Sequence, residues 1–224
     1  MKIVFLTTYL LMTFTQQNQE PKKTIKYVAF GDSYTICTGT TSEAEHWPNI
    51  LTKHLNDAGI AIELTYNPSK NGYSTQNMIT NELPLLKATT LDFATLLIGV
   101  NDWVRQIDIQ TYHKNLNYSI DEIQKKLSNK KHLVLITIPD FGVTPQGAGY
   151  GSGRDITKGI SEFNDIIKSE AKKRGLVCVD IFPITQQMKG NKELVAADGL
   201  HPSAKEYAIW ETLIFPEVKK LLVN

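Results

Sequence analysis

Five short runs rich in β-branched and aromatic residues alternate with amphipathic stretches long enough for helices, and this alternation predicts an α/β protein. Two of the runs, "FATLLIG" and "LVLITI", are continuously apolar, as strands buried on both faces of a parallel sheet are. Strand, helix, strand repetition implies right-handed crossovers, hence a three-layer α/β/α sandwich. A chain of 224 residues fits one ordinary domain with a full core, and 20–224 is expected to form it.

The first nineteen residues stand apart. Lys2 supplies a positive end, Ile3 to Phe14 are apolar or hydroxyl-bearing, and the polar "QQNQE" follows. About a dozen such residues are too few to span a bilayer comfortably but suit the apolar region of a secretory signal. We read 1–19 as a signal peptide, cut between Thr15 and Gln19, with a secreted or periplasmic product. The alternative is an uncleaved anchor or a buried first strand, since no A-x-A triplet marks the cut.

The elements then follow in order. The strand at 24–30, "TIKYVAF", runs into Gly31-Asp32-Ser33, and the pattern at 45–58 predicts the first helix. A strand at 61–67 leads into "NPSKNGYST" and a helix over 75–87. A strand at 92–99 ends in Gly99-Val100-Asn101-Asp102 ahead of a helix over 109–129. A strand at 132–138 opens into the irregular, glycine-rich "PDFGVTPQGAGYGSGRD" and a helix over 155–173. A last strand at 175–181 is followed by "ADGLHPS" and a helix over 203–222. The segment 139–155 is longer than connections in compact domains usually are, and reads as a mobile lid or rim over the substrate.

Ligands of open α/β sheets bind beyond the carboxyl ends of the strands, where chain order reverses. On that edge stand Ser33, Gly72, Asn101, Asp198 and His201. A serine hydroxyl is a weak nucleophile until a base, an orienting group and an oxyanion site accompany it. "FGDSYT", the Gly72 of "NGYST", "GVND" and "DGLHPS" resemble, in order and spacing, the four signature blocks of the SGNH/GDSL hydrolase family, over residues 28–203. "IPDFGVTPQG" also resembles a stretch found in one bacterial branch of it. The resemblance implies a flavodoxin-like sheet of strand order 2-1-3-4-5. It implies Ser33 as nucleophile, His201 as base and Asp198 as its orienting acid. It implies an oxyanion hole from the Ser33 and Gly72 backbone N–H groups and the Asn101 amide.

Each residue also has a plainer reading. Asp198 and His201, three apart in a turn with Gly and Pro, can set the carboxylate against one imidazole nitrogen; alternatively His201 is a solvated turn residue ahead of a helix that Ser203 caps. Gly72 suits a turn needing positive φ and also clears the path to an oxyanion. Asn101 either donates to a substrate oxygen or bonds its own loop. Asp32 and Phe141 are candidates for substrate contact, Asp32 and Asp102 also for bracing their loops, and Trp103 is either a rim-of-core aromatic or a pocket wall.

Other classes are disfavoured. With 24 Lys+Arg against 23 Asp+Glu, no bulk field selects nucleic acid or an anionic membrane. No G-x-S-x-G elbow occurs. "GAGYGSG" lacks the Lys-Ser/Thr ending of a phosphate-binding loop, and no H-E-x-x-H or Cys/His cluster predicts a metal; His46 and His54 read as a wet helix face. Two cysteines do not make a disulfide scaffold, so Cys178 is expected packed and free, and Cys37 free and accessible, in a loop where many family members carry glycine. The expectation is therefore a cofactor-free and metal-free serine esterase acting on a small-molecule or carbohydrate ester, with short acyl chains favoured. A lysophospholipase or thioesterase, or a non-catalytic carbohydrate-binding module, is the alternative.

Overall fold

The computed structural model describes residues 23–88 and 90–223, so the expected signal segment lies outside the described residues. Five parallel strands form one sheet in the order β2-β1-β3-β4-β5, as expected. They are β1 Ile25–Gly31, β2 Ile62–Tyr66, β3 Phe93–Leu97, β4 Leu133–Ile136 and β5 Val177–Val179. β3 and β4 are buried at every residue, as their unbroken apolar runs require. β1 lies between β2 and β3, so chain order reverses at its carboxyl end, and that end carries Gly31-Asp32-Ser33.

The helices are α1 Trp47–Asp57, α2 Thr75–Asn77, α3 Val100–Val104, α4 Ile109–Lys126, α5 Ile156–Arg174, α6 Phe182–Thr185 and α7 Ala204–Val223. α1 packs on α7, and the buried residues of the two helices include Trp47, Leu51 and Leu55 on one and Tyr207, Trp210 and Ile214 on the other. α4 and α5 cover the other face. Local chemistry sets their ends. Asp108 and Asp155 cap α4 and α5, accepting from Thr111 N at 2.9 Å and Lys158 N at 3.0 Å. Three basic residues close α5 before Gly175 turns left-handed at φ 60°.

The helix expected over 75–87 is not continuous. α2 passes into a π turn at Met78–Glu82 and a 3-10 turn at Leu83–Ala88. Pro84 has no N–H to give an α ladder, and the Leu83 N–H reaches back five residues to Met78 O instead. The fifth strand is shorter than its apolar run because Leu176 pairs back to α5 and Ile181 begins α6.

Candidate active site

Ser33 sits two residues beyond β1 in a tight reversal. Thr35 N and Ile36 N both donate to Asp32 O, and Thr38 N donates to Ser33 O at 2.9 Å. The Asp32 side chain folds back to accept from Tyr34 N at 3.0 Å. Gly31 must be glycine, because a Cβ there would stand 2.2 Å from Leu97 O and from Thr35 Oγ1. Ser33 itself is nearly covered, at 6% exposure, and opens on a pocket beyond the sheet.

Asn101 lines this pocket with Ser33, whereas Gly72 is not among its lining residues and lies in the loop that Asn101 holds. Gly72, at φ +78°, lies in the loop after β2, and Asn101 in the first turn of α3, just past β3. One amide hydrogen of Asn101 goes to Tyr73 O at 2.9 Å, which fixes the side chain and leaves its second N–H available. Among the described residues neither the Ser33 N–H nor the Gly72 N–H has a hydrogen-bond acceptor. Asp102 braces the same loop by accepting from the backbone and hydroxyl of Thr75.

The loop after α6 brings the remaining pair. An antiparallel bridge of Val195 to Pro202 closes it, with Ala196 N donating to His201 O at 2.8 Å. Inside it, Asp198 Oδ1 accepts from the Leu200 and His201 backbone N–H groups, each at 2.9 Å. Asp198 Oδ2 meets His201 Nδ1 at 2.6 Å. Burial alone would raise the Asp198 carboxyl, but the His201 ring and the two backbone donors outweigh it and hold it below the ordinary carboxylate range. Its anionic form therefore places the His201 proton on Nδ1 and leaves Nε2 as an acceptor. Ser33 and His201 line one pocket, and among the described residues the His201 ring bonds to Asp198 alone.

That pocket holds about 70 Å³, against 310 to 430 Å³ for four other surface pockets. Asn101, Phe141 and, unforeseen from sequence, Tyr34, Val100, Val104, Tyr150 and Leu200 complete its lining. Hydrophobic residues at helix and loop ends carry no local signal of this kind. Trp103 is not part of it. Its ring lies under the Arg154 guanidinium, 3.8 Å from the centroid, and against Gly159, facing a different hollow. Asp32 is fully buried beneath the turn, so it braces rather than faces the pocket.

Cys37 corrects another expectation. It is 1% exposed, its Sγ accepts from Trp47 N at 3.3 Å, and burial pushes its thiol well above the usual range. Its backbone is left-handed, at φ 58°, a conformation that glycine adopts without strain. Cys178 is half-buried in β5, and both thiols are free. The glycine-rich segment is folded into two 3-10 turns, Phe141–Val143 and Gly147–Tyr150. Gln146 N donates to Gly199 O at 2.9 Å, so the segment is a braced rim of the pocket. His46 precedes α1 as its N-cap, and His54 pairs with Glu211 at 3.0 Å. Among the described residues no three His, Cys, Asp or Glu side chains are grouped to hold a metal ion, and no helix is long and apolar enough to cross a membrane.

Solved structures share this arrangement of elements. A lipase/acylhydrolase from Enterococcus faecalis is 26% identical, covering 88% of this chain and 96% of its own, with a TM-score of 0.65. The psychrotrophic esterase EstA from Pseudoalteromonas sp. is 19% identical, covering 89% and 99%, at 0.67. A variant of Axe2, an acetyl xylan esterase from Geobacillus stearothermophilus, is 18% identical, covering 87% and 94%, at 0.68. Among curated proteins, none matches the chain. The family model for GDSL-like lipases and acylhydrolases matches residues 29–209, from the strand before Ser33 through the His201 loop into α7. The chain therefore belongs to the GDSL-like lipase/acylhydrolase family and is a carboxylic ester hydrolase.

Proposed function

We propose that this hydrolase is a serine esterase for short acyl groups, acetyl above all, carried on a carbohydrate or another small alcohol. The observation that carries the reading is the Asp198–His201 pair, with Nδ1 engaged at 2.6 Å, in the pocket that holds Ser33. His201 Nε2 takes the Ser33 proton as Oγ attacks the ester carbonyl, and Asp198 stabilises the imidazolium. The new oxyanion accepts from the Ser33 and Gly72 N–H groups and the second Asn101 amide hydrogen. His201 returns the proton to the leaving alcohol, and water repeats the cycle on the acyl-enzyme.

The pocket's space of about 70 Å³ leaves little room for a long acyl chain beside Ser33. An acetyl xylan esterase among the structures sharing this fold is in keeping with a sugar ester. The near balance of charge favours a neutral substrate over nucleic acid. The apolar run from Ile3 to Phe14 supports export, so we place the enzyme outside the cytoplasm, acting on external esters.

Hydrolysis of p-nitrophenyl esters from acetate to palmitate, by the protein and by its Ser33→Ala variant, tests this. The expected result is a maximum at acetate or propionate and loss of turnover in the variant. An optimum at long chains would replace the short-acyl reading with a lipase, and equal rates for the two proteins would remove Ser33 as nucleophile.

A further inference from the structure

Arg105 lies four residues beyond Asn101, so the two side chains leave the same face of α3. They take neighbouring carbonyls of one loop. Asn101 donates to Tyr73 O at 2.9 Å, and Arg105 Nη2 donates to Gly72 O at 2.7 Å. Arg105 Nη1 also donates to Asn77 Oδ1 at 2.9 Å. Asn77 is not a passive acceptor, because its Oδ1 also receives the Ser74 N–H and hydroxyl at the start of α2. At the other end the Arg105 backbone N–H closes α3 on Asn101 O at 3.0 Å. One residue therefore ties the helix that presents Asn101 to the loop that presents Gly72, through a rigid two-pronged fork.

We infer that Arg105 is a positioning residue of the oxyanion hole, a role that rests on the esterase reading above. With the Gly72 and Tyr73 carbonyls both drawn to α3, the peptide on the amino side of Gly72 is left to orient its N–H without competition. The guanidinium does not touch the substrate. Its effect is on where two donors stand relative to each other, and such preorganisation matters where charge develops in the transition state. Without the fork, Gly72 O loses its tie to α3 while the Asn101, Asp102 and Thr38 bonds still hold Tyr73, Thr75 and Asn71 on either side of it, and Gly72, at φ +78°, sits in backbone that is free to rotate.

The test compares Arg105→Met, which keeps the aliphatic stem, and Arg105→Lys, which keeps the charge but not the fork, with the parent and Ser33→Ala. Four quantities are read: kcat and KM on p-nitrophenyl acetate, inhibition by a boronic acid that becomes a tetrahedral anion on serine, and the thermal midpoint. The expected result for Arg105→Met is a fall in kcat of about tenfold or more, below the 10² to 10³ of a direct donor. KM should stay within about twofold and the boronate should weaken in parallel with kcat/KM. Arg105→Lys should fall between Met and the parent. A KM increase at constant kcat would make Arg105 a substrate-binding residue and overturn the inference. So would a lowered thermal midpoint with kcat and boronate affinity unchanged, which marks a purely structural brace. If Ser33→Ala keeps the parent rate, the esterase reading itself fails and this inference with it. If Ser33→Ala is inactive and the Arg105 variants are normal, Arg105 alone is refuted.

Discussion

The carboxylate behind His201 is not shielded from water. The Asp198 side chain is 42% exposed and the His201 side chain 17%, so solvent can reach the acid but hardly the base. In the mechanism proposed above, Asp198 orients His201 through geometry, with one oxygen on two backbone N–H groups and the other on the ring. Asp198→Asn keeps the shape but offers the ring an amide. If the amide N–H turns to Nδ1, the imidazole carries its proton on the wrong nitrogen. The expected loss in kcat is about 10²-fold, at the low end for an acid–base group, because water can take over part of the role. Steady-state kinetics with p-nitrophenyl acetate check it, and an unchanged kcat would show that His201 needs no partner. These residues are legible in the sequence because each is a chemically distinctive side chain in a short block, although theirs follows α6 rather than a strand end. Cys37 is misleading there because its loop position is visible, whereas the Trp47 amide and the core around its thiol come from packing across ten residues of chain.

At the scale of elements, strand positions can be read because β-branched runs with turn signals at both ends have few other solutions, and buried strands such as β3 and β4 leave no polar face to confuse. The segment 75–88 carries a helical pattern too, but Pro84 and the demands of Gly31, whose N–H donates to Glu82 at 3.2 Å, divide it into three kinds of turn. No periodicity encodes that. The rim after β4 stands out in the sequence by its length alone, whereas its inner architecture does not. Arg154 stacks on Trp103, Trp103 meets Phe141 edge-on at 5.9 Å, and Phe141 meets Tyr150 at 6.4 Å, a line of rings ending at the pocket. Tyr150 ends that line 45% exposed, on a turn whose Gly147 would collide with Phe141 O if it bore a Cβ. Removing its ring in Tyr150→Ala should lengthen the pocket more than weaken the fold. The ratio of kcat/KM for hexanoate over acetate is expected to rise by about tenfold, the discrimination that one or two methylene groups in an apolar site supply. A constant ratio would place the acyl chain elsewhere.

Across the molecule, the sheet end that carries Ser33 stands over buried acid. Asp32 and Glu82 are both fully covered, each with one oxygen lacking a hydrogen-bond partner among the described residues, and Glu82 supports Gly31 through its other oxygen. Burial pushes each carboxyl up to about 8, and nearby acids add to it, Asp102 acting on Asp32 and Asp32 on Glu82. In the unfolded chain both titrate in the ordinary carboxylate range, near pH 4. The folded state therefore binds more protons than the unfolded state between about pH 4 and pH 8. Stability from these two groups is complete below that window, declines as pH rises through it, and levels off above it. A tenfold difference in proton affinity between the folded and unfolded chain is worth about 1.4 kcal/mol, so the loss is felt in the thermal midpoint. Glu82→Gln copies the protonated form, since an amide oxygen can still accept from Gly31 and the NH₂ group replaces the carboxyl hydroxyl. The variant should match the parent's midpoint at pH 5 and exceed it by several degrees at pH 9, while Asp32 leaves a remnant of the decline in both. Thermal unfolding followed by circular dichroism over pH 5 to 9 measures the gap. A gap that is constant with pH would mean that Glu82 is ionised throughout and that the turn holding Ser33 rests on a charged carboxylate.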